Sequence, residues 1–230
     1  TDSDWNKPVG LSISNGVASA NNVSSGQQLW QSFTSIGIYK VEFTISNYTI
    51  GGVKPIFHGA TYTGASSATA NGKYIQYVKV TSTPSRFSFQ FSGTCTMDID
   101  NVSVKEVGQN WTFGTGWSMG DDRAVFDTTS NASLLTNVSI SSGNLYRLKI
   151  EGEVTSGNIK LSGSSGLGND QVISLPFEQD IIHDGGGNTV EIRTVGSAEG
   201  FISNVSVIEI TNDTDLPRID FTDGTGSLLL

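Results

Sequence analysis

The sequence predicts an all-β chain built as two tandem antiparallel β-sandwich domains. Three observations carry that expectation: a repeat of about 105 residues, short stretches that alternate apolar and polar residues, and no long helical periodicity. The repeat shows at the start, middle and end of each unit. Trp5, Gly10-Leu11-Ser12-Ile13 and Ala18 return 106 positions later as Trp111, Gly116-Trp117-Ser118-Met119 and Ala124. Tyr39-Lys40-Val41-Glu42-Phe43 corresponds to Tyr146-Arg147-Leu148-Lys149-Ile150, and Ile99-Asp100-Asn101-Val102-Ser103-Val104 to Ile202-Ser203-Asn204-Val205-Ser206-Val207. Gly93 matches Gly196 in the register of that last pair. The small drift in spacing is what loop insertions between duplicated domains produce. A unit of this length can hold its own core, unlike a solenoid repeat.

The expected boundaries are 1–108 for the first domain, 109–211 for the second, and 212–230 for a linker and tail leading to a further domain or a subunit contact. In the first copy, strands are expected at 16–20, 29–33, 37–46, 53–58, 73–80, 86–92 and 97–107. In the second they are expected at 124–127, 134–140, 145–154, 159–161, 171–176, 179–183, 189–194 and 200–210. Seven or eight short strands per hundred residues, separated by Gly, Asn and Ser turns, point to sandwiches of the jelly-roll kind. Alternation through Arg86-Phe87-Ser88-Phe89-Gln90-Phe91 puts three rings on the core face. The lone Cys95 has no partner for a disulfide and reads as a small buried hydrophobe.

Composition narrows the function. Thirteen Lys and Arg against 22 Asp and Glu, a net charge of −9 with no basic cluster, argue against nucleic acid and anionic lipid as partners. No stretch of 18 apolar residues or basic-then-apolar leader is present, so neither a membrane span nor a signal peptide is expected. The eight Asn-x-Ser/Thr sequons carry no weight in so Ser-, Thr- and Asn-rich a chain.

Catalytic chemistry finds no foothold. The two histidines, His58 and His183, fall one per domain before glycines and read as strand-end polar residues, and no nucleophile elbow occurs. Asp98, Asp100, Asp121, Asp122, Asp180 and Asp184 are the acids that a glycosidase pair would draw on, yet none can be assigned a partner. Gly114-Thr115-Gly116 lacks the strand, helix and lysine of a phosphate loop and is a turn. The expectation is therefore not an enzyme.

Binding of sugars needs exposed rings, because the C–H face of a pyranose packs on an aromatic while amides and carboxylates bond its hydroxyls. The candidates are Trp30, Tyr48, Tyr62, Tyr74, Tyr77 and, in the second copy, Trp117. Trp5 and Trp111 recur and are assigned to the fold; Trp30 matches leucine in the second copy and reads as core. Tyr48 and Tyr62 lie in the loop-rich stretch 46–70 without counterparts, so they are either ordinary surface tyrosines or a copy-specific glycan site.

The opening Trp-x-x-x-x-Gly-[Leu/Trp]-Ser and closing Ile-[Asp/Ser]-Asn-Val-Ser-Val resemble the jelly-roll carbohydrate-binding modules of the family 4/9 type, and similar modules recur in bacteriophage tail and head fibres. The segment Leu216-Pro217-Arg218-Ile219-Asp220-Phe221 with Gly226-Ser227-Leu228-Leu229-Leu230 resembles a junction found in phage tail-fibre-like proteins. The resemblance implies a virion appendage with structural and adhesive roles, whose partners are other virion proteins or itself and cell-surface polysaccharide. The alternative is a glycan-binding accessory region of a secreted polysaccharide-degrading enzyme. It also implies a structural calcium near the terminal strands, for which Asp100 is the matching acid, though Ser203 stands there in the second copy; otherwise Asp100 is a surface acid. In the tail, Ile219, Phe221, Leu228, Leu229 and Leu230 are costly to leave in water and are expected at a homo-oligomer contact, a trimer by analogy with fibres.

Overall fold

The computed structural model describes residues 4–162, 170–184, 187–211, 218–220 and 227–229. These are all β: two large antiparallel sheets and a two-stranded one, with no α-helix among the described residues. The chain divides into two compact units, Thr1–Gln109 with Met119–Asp122, and Asn110–Ser118 with Arg123–Leu230.

The first sheet contains β1 (Leu11–Ser14), β2 (Val17–Val23), β3 (Gln28–Ser32), β4 (Gly37–His58), β5 (Tyr62–Thr63), β6 (Gly72–Val80) and β7 (Arg86–Val107). Their order is β1-β2-β7-β4-β6-β5, with β3 also on β7. The four strands expected at 37–46, 53–58, 86–92 and 97–107 are two strands of 22 residues each. The glycines and asparagines between them bend the chain without breaking its ladder. Asn47, Gly51 and Gly93 take left-handed φ of 50°, 93° and 71°, and register shifts mark the bends.

The two halves of each long strand keep different neighbours. Residues 37–45 of β4 pair with β6 and with the end of β7, whereas residues 53–58 pair with the start of β7, which in turn pairs with β3. Rings from the two halves meet: Phe43 touches Phe89 with centroids 5.0 Å apart. Period two aims Val41, Phe43, Ile45, Phe87, Phe89 and Phe91 into this buried cluster. Cys95 is fully buried there, its thiol 3.2 Å from the carbonyls of Gly52 and Ser92. A loop closes one flank: the buried Gln76 amide bonds both backbone groups of Ser66 (2.8 and 3.0 Å), and Ala68 bridges to Val53.

The second sheet contains β8 (Trp111–Phe113), β9 (Trp117–Gly120), β10 (Arg123–Thr128), β11 (Ser133–Thr136), β12 (Leu145–Leu161), β13 (Val172–Ile173), β14 (Phe177–Ile182) and β15 (Glu191–Ile210). Its path is β13-β12-β15-β10-β9, with β14 on β12, and β11 between β15 and β8. Again the expected pairs 145–154 with 159–161, and 189–194 with 200–210, are continuous strands, bent at Gly157 (φ 75°) and Gly196 (φ 67°).

Several register pairs recur between the two sheets. Tyr39 opposes Glu106 as Tyr146 opposes Glu209, and Ala18 opposes Ile99 as Ala124 opposes Ile202. Gly10 and Gly116 share φ near 85° and each accepts a backbone N–H, from Asn21 and Asp127. Strands β1, β5, β8 and β9 were not foreseen, being only two to four residues long. Gly114-Thr115-Gly116 is a turn, with Trp117 N–H donating to Gly114 O at 3.1 Å. The last two strands, β16 (Arg218–Asp220) and β17 (Ser227–Leu229), pair antiparallel with Ile219 opposite Leu228. Among the described residues no helix is long and apolar enough to cross a membrane.

A candidate ligand cleft in the first unit

A bulge in β7 shapes a cleft in the first unit. Glu42 opposes Ser103 and Thr44 opposes Asp100, so Phe43 faces two residues, Asn101 and Val102. Asn101 accommodates the extra residue with a left-handed φ of 52°, and its N–H donates to Asp100 Oδ1 at 2.6 Å. Bulges of this kind re-aim side chains beside binding sites. Here Asp100 and Asn101 come to line a cleft of about 540 Å³ together with Gln31 and Ser32 of β3 and the rings of Trp5, Phe33 and Phe87. That volume suits a small ligand.

Trp5 is held from below. Its ring lies over Phe89 (6.4 Å, 26°) and meets Phe87 edge-on (6.4 Å, 68°). Its neighbour Asn6 makes a reciprocal backbone bridge to Trp30 at 2.9 and 3.1 Å. In the second unit the corresponding pairing spreads over three residues, Trp111–Phe113 on Leu134–Thr136. There Thr136, the counterpart of Gln31, is buried with its hydroxyl accepting the Val190 N–H. The two copies therefore differ at the cleft in pairing length and in Gln31 and Asp100, where the second has Thr136 and Ser203.

The two candidate tyrosines lie at opposite ends of β6. Tyr48 N–H donates to Asn71 Oδ1 and its hydroxyl to Gly51 O, both at 2.9 Å, which ties it beside the first residue of β6. Tyr62 pairs with Val80, the last residue of β6, and packs on Phe57, burial raising its phenol pKa. Eight strand steps at ~3.3 Å put the two ends of β6 roughly 26 Å apart. Tyr48 and Tyr62 are each half-buried against the core and cannot grip one small ligand together. Trp117 is 5% exposed and packs 4.7 Å from Phe126. Tyr74 stacks on Phe43 at 5.2 Å.

Asp100 is the one charged side chain among the cleft's lining residues. Calcium takes six to eight oxygens. Among the described residues no three His, Cys, Asp or Glu side chains come together, so calcium at Asp100 would draw its other oxygens from amides and carbonyls such as those of Asn101. His58 is exposed at the end of β4; His183 is buried, its Nε2 2.7 Å from Gly187 O. Of the tail residues, Ile219, Leu228 and Leu229 lie in the β16–β17 pair, while Phe221 and Leu230 fall outside the described residues, as do 212–217.

The sequence reading missed the cleft because Trp5 recurs and so reads as fold. The available signal was the departure of the second copy at the neighbours, Asp100 against Ser203. No protein-family model matches the chain, and no curated protein matches it.

Proposed function

We propose that the chain is a non-catalytic binding and assembly module of a virion appendage, built from two jelly-roll sandwiches of the carbohydrate-binding-module type, whose first copy grips a host-surface glycan. One observation carries the binding reading: the cleft joins a braced indole, Trp5, to an amide and carboxylate rim, Gln31, Asp100 and Asn101. Apolar ring beside hydroxyl-bonding groups is the chemistry that sugars require. The place in a virion rests on the resemblance of residues 216–230 to a fibre junction. Weak single sites suit that role, since several copies on one appendage multiply avidity.

The test is a glycan array on the whole chain, followed by calorimetry on any hit. Trp5→Ala and Asn101→Ala are each expected to abolish measurable binding, while Trp117→Phe retains it. Binding unaffected by both cleft variants, or no binding to any glycan, overturns the assignment.

A further inference from the structure

β3 has a second face. Leu29 and Gln31 line the cleft, whereas Gln28 and Trp30 point to the opposite side, where a separate depression of about 320 Å³ is lined by Lys7, Gln27, Gln28, Trp30 and Arg86. Register places this face in rows: Gln28, Gln90 and Lys54; Trp30, Ser88 and Ile56; then Arg86 and His58. Lys7, Lys54 and Arg86 make no ion pair among the described residues, and no carboxylate lines the depression. The chain's acidity does not oppose this. Residues 1–109 carry seven Lys and Arg against six Asp and Glu, and residues 110–230 six against sixteen. The excess negative charge thus belongs to residues 110–230.

The cation is fixed in place before any ligand arrives. The Arg86 guanidinium lies 5.1 Å from the Trp30 ring centre, and its Nε–H donates to Gln28 Oε1 at 3.2 Å, an oxygen that also accepts the Ser88 hydroxyl. With Nε committed, the Nη groups remain for an anion with two oxygens side by side, and a carboxylate matches that fork. Lys7 is brought to the rim by the Asn6–Trp30 backbone bridge. The rest of the lining is amide and apolar: Gln27 and Gln28 can bond hydroxyls, and Pro8 and Trp30 offer C–H and ring surface.

From this the geometry points to a second saccharide site, selective for a carboxylate-bearing sugar, a hexuronate, bound with its carboxylate on Arg86 and Lys7 and its hydroxyls on Gln27 and Gln28. The site is independent of the cleft and opposite to it in charge, since the cleft offers Asp100 and no cation. Prior immobilisation of Arg86 by Trp30 and Gln28 lowers the ordering cost of binding.

Calorimetric titration of the whole chain with a hexuronate oligosaccharide, its carboxyl-reduced neutral counterpart and sodium acetate tests the idea. The uronate is expected to bind, at least tenfold more weakly after Arg86→Gln, several-fold more weakly after the exposed Lys7→Gln, and more weakly with rising salt. Trp5→Ala is expected to leave it unchanged, which separates this site from the cleft. Uronate binding indifferent to both Arg86→Gln and Lys7→Gln, equal binding of the neutral counterpart, or no uronate binding overturns the proposal. Acetate competing as effectively as the sugar overturns its saccharide part.

Discussion

Tyr39 and Phe57 lie in one continuous strand eighteen residues apart, yet their rings stack with centroids 5.5 Å apart at 27°. Fully extended, the strand would separate them by roughly 60 Å. The bends between Ser46 and Gly52 bring them together, so Phe57 joins the two halves of β4. Phe57 is fully buried and also touches Phe33, Tyr62 and Phe87. Phe57→Ala is expected to cost about 3–5 kcal/mol, read as a lower urea midpoint. A loss under about 1 kcal/mol would show that the halves are not joined there.

The bends themselves are testable through glycine. An added Cβ at Gly51 meets Thr94 O at 2.7 Å and Cys95 Cα at 2.8 Å, and at Gly157 it meets Ala198 Cα at 2.8 Å. Both residues are left-handed. Gly16 shares that conformation, φ 83°, but its Cβ would meet nothing within 4 Å. Gly16→Ala is therefore expected to lose only the conformational term, about 1–2 kcal/mol, and Gly51→Ala or Gly157→Ala clearly more. Thermal melts of the three variants check the order.

Acid should act on the outer face of the second sheet. Arg147 grips Asp180 with two bonds, Nε to Oδ1 at 2.8 Å and Nη2 to Oδ2 at 2.9 Å, and this holds the Asp180 carboxyl below the usual aspartate value of about 3.9. A depressed carboxyl contributes stability that is present above that value and is lost as pH falls through its folded pKa. Carboxyl NMR titration is expected to show Asp180 ionising below the usual range in the native chain. In Arg147→Gln it should return to normal; an unchanged Asp180 titration in that variant removes the guanidinium as the cause.

Oligomerisation gives a fourth expectation. If the apolar tail residues sit at a subunit contact, light scattering on the whole chain reports a homo-oligomer, and truncation of 216–230 reports a monomer. The same mass from both chains leaves the tail without an assembly role.

The β content and the repeat were legible because they follow from period-two alternation and from residues, Trp5 and Gly93 among them, whose counterparts recur. Strand lengths were not. Gly93, Gly157 and Gly196 look like chain reversals in sequence, and only the tertiary partner on each side decides that the ladder continues through them. The site was illegible for a related reason. Asp100 and Asn101 are turned towards the cleft by a bulge, and a bulge is invisible to strict alternation. Trp117, a candidate ring in the sequence, packs beside Phe126.

Because β4 and β7 each run through both halves of the first sheet, the backbone couples the opening of one half to the other. A protein made of two sheets joined only by loops can lose them in turn. Here the same backbone carries both, so unfolding should propagate through the bends and the first unit should melt as a single cooperative body. Amides of residues 38–45 and 53–58 are then expected to exchange together, at the rate of global opening, even though they lie in different halves of the fold.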